Sequence, residues 1–448
     1  MKMTPRSAAI TILCELDKAR VPVSAIFDRM EQGAALERQD RQLAMKIVYG
    51  VLRNRDYLDR LLAHLCRQPL GKMKPYVHQA LRCGLFQIFF LDRIPPSAAV
   101  NETVKAVKAK NSPSRLQGFV NGVLRESIRQ KAQLPNPEEP DESGRPLLNH
   151  PAWLTNRWQQ HYGEEEMRRI CQHNNHEPLL CLRVDSIDLL TELRESFQVQ
   201  SIAAISGNYA PKALLVRDYR GKIDEIKGID QGTVQVQDQA SQLASMLLAP
   251  FSPGLSCLDG CAGVGGKTTH LRLLLDEKNC RLTAVEPDIR RYQLLKQNLQ
   301  RQNKGCPVGL HHQTLQKFAE SGGAAFDRII IDAPCSGTGV IGRHPDIRWN
   351  RREQDLEDFV VRQLELLNLA ATLLAEDGIL VYATCSIEPE ENSGLVERFL
   401  TEHSEFTLTD CASFLPPSCN ELIREGYLAP LPDTTIDGFF CARLCRKR

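Results

Sequence analysis

Apolar positions in the first third of the chain recur at helical spacing. Ala8, Ile12 and Leu16 open the pattern, and Leu43, Ile47, Val48, Val51 and Leu52 continue it, followed by Leu58, Leu61, Leu62 and Leu65. Val77, Leu81, Leu85 and Ile88 make a further face. Pro95-Pro96 then interrupts before stripes at Ala99, Val100, Thr103, Val104 and Val107 and at Phe119, Val120, Val123, Leu124 and Ile128. Such periodicity predicts amphipathic helices, so residues 1–131 are expected to form an all-helical domain of seven helices. Residues 132–149, rich in Pro, Gly and acid, read as a linker. Helices around Trp158 and Ile170 come next, then a strand at 180–184, a helix at 189–197 and strand-like runs at 213–216 and 233–236. Residues 150–236 are thus expected to form a small α+β connector.

From 237 to 448 the pattern changes to short apolar runs alternating with helical stretches. Strands are expected at 255–259, 281–286, 307–310, 326–332 and 378–384, with a terminal pair at 405–409 and 437–443. Helices are expected at 267–275, 288–301, 353–376 and 390–400. Continuous apolar strands separated by helices predict a doubly wound, Rossmann-like α/β domain, with its chemistry at the carboxyl ends of the strands.

Charge adds a partner to this picture. Residues 1–131 hold 23 Lys and Arg against 11 Asp and Glu, leaving 33 against 44 for the remainder. A basic front points to an anionic partner such as RNA, with Arg41, Arg53, Arg82, Lys105 and Arg125 as candidates for phosphate contact or for ordinary surface charge. The fifteen cysteines are scattered, with neither a secretory apolar region nor a run long enough to span a membrane. A reduced, cytoplasmic protein is expected, with no membrane association. No short CxxC pair is present, and no metal site is expected.

The segment Leu258-Asp259-Gly260-Cys261-Ala262-Gly263-Val264-Gly265-Gly266-Lys267-Thr268 follows a strand and opens a helix. Gly263, Gly265 and Gly266 allow close backbone approach to a ligand, and the helix start offers unpaired N–H groups. A phosphate loop would need its first Gly at the position of Cys261. Glu286 closes the second strand, where a carboxylate accepts ribose hydroxyls. Asp288 either joins it or caps the next helix. Cys261, Ala262, Gly263, Gly265, Gly266, Lys267, Glu286, Asp288 and Asp332 are therefore the candidate cofactor contacts. NAD and S-adenosylmethionine both suit such a loop.

Two cysteines decide between them. Cys335 stands in Asp332-Ala333-Pro334-Cys335-Ser336-Gly337-Thr338-Gly339 and Cys385 in Tyr382-Ala383-Thr384-Cys385-Ser386, each after an apolar run. Hydride transfer needs no such pair, whereas methylation of a pyrimidine at carbon 5 does. A thiolate adding to C6 makes C5 nucleophilic, and a second group helps release the product. Either cysteine can be the nucleophile on this ground. Asp332 can stabilise the adduct through N3 of the base.

These motifs resemble the bacterial RsmB/Sun (Fmu) family of RNA cytosine-5 methyltransferases, which join a NusB-like helical domain to a Sun-type catalytic domain. The resemblance spans nearly the whole chain. It is carried by the two cysteine motifs, by His344-Pro345-Asp346-Ile347-Arg348-Trp349 and Asp437-Gly438-Phe439-Phe440, and in the front by Asp40-Arg41, Asn101-Glu102-Thr103-Val104 and Phe119-Val120-Asn121-Gly122. It implies Cys385 as the nucleophile, Cys335 in product release, Asp332 in stabilising the base, and Lys267 beside the cofactor's methionine end. It also implies S-adenosylmethionine as cofactor and small-subunit ribosomal RNA, free or partly assembled, as partner, with no obligate protein partner; a monomer is compatible with the sequence, which does not itself set the oligomeric state. The expected product is 5-methylcytosine in 16S ribosomal RNA, at the cytosine numbered 967. His344, Arg348 and Trp349 are candidates for RNA contact, Trp349 equally for a core anchor.

Three positions depart from the family pattern. The glycine turn lacks the usual proline and reads Ala262-Gly263-Val264-Gly265-Gly266-Lys267, Leu310-His311-His312-Gln313-Thr314 lacks the usual adenine-contacting Asp, and Asp185 stands where the family has Asn. Alternative readings are the same chemistry on tRNA or another ribosomal cytosine, a non-catalytic RNA-binding or antitermination-like factor, and a nucleotide-dependent oxidoreductase.

Overall fold

The computed structural model describes residues 3–447 apart from 34, 35, 138, 141–143, 145, 277, 303, 323 and 324. Part of the expected linker, at 138, 141–143 and 145, lies outside the described residues. The chain forms two units, one of Met1–His176 with Ile341–Glu353 and one of Glu177–Val340 with Gln354–Arg448.

The first unit begins with seven α-helices: α1 (Pro5–Ala19), α2 (Val23–Gly33), α3 (Arg38–Arg53), α4 (Arg55–Leu65), α5 (Pro75–Phe90), α6 (Pro96–Ala109) and α7 (Ser114–Arg129). Their starts follow local chemistry. Thr4 and Ser7 form a reciprocal capping box on α1, and Pro occupies the first turn of α1, α5 and α6, where its missing N–H costs nothing. The central α5 is buried along most of its length, and Gly84 lets Leu124 of α7 pack where a Cβ would approach its Cδ1 to 2.6 Å. Arg82, a candidate phosphate ligand, is buried and paired with Asp59, its Nε 2.7 Å from Oδ1. That pairing holds Asp59 at about 2, because the hydrogen bonds from His78 and Arg82 outweigh the opposing and largest influence, burial. Two further helices, α8 (Ala152–Tyr162) and α9 (Glu164–Asn175), fall in this unit.

The second unit starts with β1 (Leu180–Val184), α10 (Ile187–Val199), β2 (Ala204–Ser206), β3 (Ala213–Val216) and β4 (Val234–Val236). The strands pair antiparallel in the order β2-β3-β1-β4. After α11 (Gln239–Met246) the main sheet follows: β5 (Ser256–Asp259), α12 (Gly266–Leu274), β6 (Arg281–Val285), α13 (Ile289–Arg301), β7 (Val308–His311), α14 (Leu315–Glu320) and β8 (Phe326–Asp332). The chain then passes into the first unit, where α15 (Ile347–Asn350) lies, and returns as α16 (Asp355–Leu373), β9 (Leu374–Thr384), α17 (Ser393–Glu402), β10 (Phe406–Thr409), β11 (Ile423–Arg424), β12 (Tyr427–Leu428) and β13 (Phe440–Arg446).

Sheet order is β11-β12-β13-β9-β8-β5-β6-β7, with β10 on β13. Strands β5 to β9 are mutually parallel and β13 runs antiparallel to β9. The order reverses between β5 and β8, so a crevice opens at their carboxyl ends. Asp259 and Asp332 are the last residues of those two strands, and Cys385 directly follows β9. An all-helical part, a small α+β connector and a Rossmann-like domain are all present as expected. The passage 341–353 was not: Arg348 there is fully buried in the first unit, donating to the carbonyls of Asn149 at 2.8 Å and Asn174 at 2.6 Å and to Asn175 Oδ1 at 2.6 Å. Its guanidinium is thus committed internally, and the Trp349 indole N–H donates to the Leu52 carbonyl at 2.9 Å.

Candidate active site

A cavity of about 400 Å³ opens at the switch point. Its walls include Cys261, Ala262, Gly263, Gly266, Lys267 and Asp332 from the expected set, together with Asp259, Gln237 and Arg291, which sequence reasoning did not single out. Gly265 stands back from it. This residue has φ 91°, and a Cβ there would meet Leu295 Cδ1 at 2.5 Å, so the glycine is required by conformation and packing. Glu286 is buried and shapes the turn instead of lining the cavity: Oε2 accepts from Gly263 N–H and Oε1 from Asp288 N–H, both at 2.8 Å. Asp288 caps α13, accepting from the N–H groups of Arg290 and Arg291. These backbone bonds hold its carboxyl below the usual range.

Support for the turn comes from the connector. Arg183 on β1 is buried and donates to the Gly266 carbonyl at 2.8 Å, to Thr269 Oγ1 at 3.1 Å and to Gln237 Oε1. The His312 segment, lacking the family's acid, places His312 Nε2 3.1 Å from the Pro287 carbonyl, with its ring 5.1 Å from that of Tyr292.

At the floor, Lys267 Nζ donates to Asp332 Oδ2 at 2.7 Å and lies 5.1 Å from the Phe439 ring centroid. Asp259 is fully buried, and Oδ2 accepts from Thr268 Oγ1 at 2.7 Å. Burial pushes its carboxyl up to about 6, against the Thr268 bond, which favours the ionised form. The cavity is therefore lined by three aspartates (Asp238, Asp259 and Asp332), by Lys267 and Arg291, and by a cradle of glycine backbone. This set fits a zwitterionic, cationic ligand carrying a nucleoside, as S-adenosylmethionine is.

The cysteine sulfurs of Cys335 and Cys385 are 3.1 Å apart, and each residue is half-buried. Among the described residues the cysteines form no disulfide. The two turns are knit by backbone: Ala333 N–H donates to the Ala383 carbonyl at 2.8 Å, and Gly339 N–H to the Cys385 carbonyl at 3.0 Å. Gly339 also meets Gly438 so closely that a Cβ would sit 2.2 Å from the Gly438 oxygen. The Cys335 thiol is pushed well up, first by its hydrogen bond to Cys385 and then by burial. Either thiol can donate the hydrogen bond between the two sulfurs. One residue of this region escaped sequence reasoning altogether: Glu391, buried behind both turns. Its only signal was an acidic Pro-Glu-Glu that ends six residues after Cys385.

Comparison with known proteins agrees along the whole chain. Residues 245–445 match the model of the 16S rRNA methyltransferase RsmB/F family, residues 3–129 the NusB family and residues 150–220 the RsmF/B-like ferredoxin-like domain. The ribosomal RNA small subunit methyltransferase B of Sodalis glossinidius is 37% identical over 424 residues, 92% of each chain. The probable ribosomal RNA small subunit methyltransferase B of Bacillus subtilis is 32% identical over 455 residues, covering 100% of this chain and 99% of its own. Among solved structures, that of PH0851 superposes with a TM-score of 0.76 over 100% of both chains at 24% identity, a likeness of fold. With relatives above 30% identity over nearly all of its length, the chain belongs to the RsmB/F family of 16S rRNA methyltransferases.

Proposed function

We propose that the chain methylates carbon 5 of a cytosine in 16S ribosomal RNA, the cytosine numbered 967, through a covalent cysteine adduct. The observation that carries this reading is the Cys335–Cys385 sulfur pair at 3.1 Å, Cys335 just beyond the strand that ends at Asp332 and Cys385 just beyond its neighbour β9, with Asp332 lining the cavity. S-adenosylmethionine, when bound by the glycine turn, Lys267 and the carboxylates, supplies the electrophilic methyl group that C5 takes up.

The residues of the chain do the rest. Cys385 Sγ, as thiolate, bonds to C6 of an extruded cytosine, and the C5=C6 electron pair moves toward C5 and the ring. Asp332, carrying a proton for this step, donates a hydrogen bond to N3 and so stabilises the negative charge that builds on the ring. Once Cys385 is bonded to carbon it no longer accepts the Cys335 hydrogen bond, and the main influence holding the Cys335 proton disappears. Cys335 releases that proton to solvent and, as thiolate, takes the C5 proton; the C5–H electron pair re-forms the C5=C6 bond and the Cys385–C6 bond breaks, its electrons returning to Cys385 as thiolate.

The test is methyl transfer from labelled S-adenosylmethionine to unmodified small-subunit RNA and to bulk tRNA, with the product base mapped. One labelled ribosomal cytosine, lost in Cys385→Ala and trapped as a protein–RNA adduct in Cys335→Ala, is the expected result. Label in tRNA alone overturns the substrate, and RNA binding without label overturns the chemistry.

A further inference from the structure

Glu391 lies in a short 3₁₀ turn just beyond the Cys385 loop, fully buried, and its carboxylate touches both cysteine-bearing turns. Oε1 accepts from Ser336 N–H and from Gln363 Nε2, each at 2.8 Å. Oε2 accepts from Ser336 Oγ at 2.5 Å and Ser386 Oγ at 2.6 Å. Ser336 follows Cys335 and Ser386 follows Cys385. One carboxylate thus bridges the residues next to the two sulfurs.

A buried carboxylate is costly unless its lone pairs are filled, and here four donors fill them. Thr338 Oγ1 closes the cluster 3.3 Å from Ser386 Oγ and accepts from Ile387 N–H at 3.1 Å, and Gln363 Nε2 also donates to the Pro334 carbonyl at 2.9 Å. Every bond in the set joins the Cys335 turn, the Cys385 turn or α16 to Glu391 or to one another. Moving either sulfur away from the other breaks several at once.

We infer that Glu391 is a positioning residue, whose hydrogen bonds to Ser336 and Ser386 set the spacing of the two reactive sulfurs. This inference rests on the cysteine-pair reading above. Its force is geometric: displacement by about 1 Å of a group that must meet a reacting atom costs on the order of 100-fold in rate. Glutamine can keep the bridge, because its oxygen accepts from Ser336 N–H and Gln363, while its amide donates to two hydroxyls that rotate to accept. Alanine cannot.

The experiment reads spacing without relying on the methylation chemistry. In the full-length chain, diamide converts Cys335 and Cys385 to a disulfide, two thiols losing two electrons and two protons to the diazene, and peptide mass spectrometry follows the rate. Glu391→Ala is expected to slow this disulfide at least tenfold relative to wild type, and Glu391→Gln less than threefold. In methyl transfer, Glu391→Ala is expected to lose about 100-fold in kcat with KM for RNA unchanged, and to accumulate the protein–RNA adduct. Glu391→Gln is expected to recover most of that loss. Should Glu391→Ala not fold, the double variant Ser336→Ala/Ser386→Ala, which keeps the carboxylate and removes both hydroxyls, takes its place. Wild-type disulfide rates in the Ala and double variants overturn the inference, as do equal losses for Gln and Ala. A slowed disulfide in a chain that never methylates cytosine upholds the spacing role and overturns the proposed function alone.

Discussion

Lys267 Nζ sits 2.7 Å from Asp332 Oδ2, and the lysine is almost entirely buried while the aspartate is about a third exposed. Burial works to lower the lysine pKa, but the Asp332 charge and hydrogen bond outweigh it, and the net value stands above 10.5. A raised folded-state pKa stabilises the folded chain fully below the unfolded value and loses that contribution as pH climbs through the folded one. Wild type is therefore expected to lose melting temperature faster than Lys267→Met above pH 10.5, as thermal scans will show. At neutral pH the same variant leaves Asp332 without its counter-charge, and methyl transfer is expected to fall about 100-fold.

The Cys335 thiol is raised chiefly by its hydrogen bond to Cys385. Removing that partner in Cys385→Ala leaves only burial and the more distant acids to oppose ionisation. Iodoacetamide at pH 8, followed by peptide mapping, is expected to alkylate Cys335 several-fold faster in that variant than in wild type. An unchanged rate would mean that burial alone governs this thiol.

Arg348 donates three hydrogen bonds from a fully buried guanidinium to two carbonyls and one amide oxygen. Arg348→Ala strands those acceptors and is expected to destabilise the first unit by about 3 kcal/mol, read by urea denaturation. Arg348→Lys restores less than half of this, because an ammonium cannot reproduce the planar fork.

Gly339 has no room for a side chain: a Cβ would stand 2.2 Å from the Gly438 oxygen and 2.9 Å from that of Cys385. Gly339→Ala must push two backbones apart, at about 1–3 kcal/mol. Because one of them carries Cys385, the proposed nucleophile, activity is expected to fall further than stability, which paired melting and methyl-transfer measurements will separate.

Much of this was legible in the sequence. Periodicity placed β8 at the observed bounds Phe326–Asp332 and α13 within a residue of Ile289–Arg301, because both have long, unambiguous patterns. The places of the glycine turn beside the cavity and of both cysteines just beyond strand ends were readable, since each stands directly after a short apolar run. What stayed hidden depends on contacts distant in sequence. Glu391 looks like an ordinary helix-start acid until Ser336, 55 positions earlier, is seen bonded to it. Arg348 looks like a ligand for RNA until Asn174, 174 positions earlier, accepts its proton. Glu286 was legible as a strand-end carboxylate, but not its two backbone bonds, which depend on the fold of the turn facing it.

The return of residues 341–353 to the first unit has a consequence for synthesis. Asn149, Asn174 and Asn175 leave the ribosome well before Arg348, the cation they surround. The helical unit spans 1–176 yet needs a piece that ends at 353, so translation adds a wait of roughly 10–35 s at ordinary elongation speeds before that unit can be completed. Its last hydrogen bonds are made after the glycine turn and the Cys335 strand have already been translated. The two halves of the polypeptide are thus not separable in time: the part made first is finished only by a part made late.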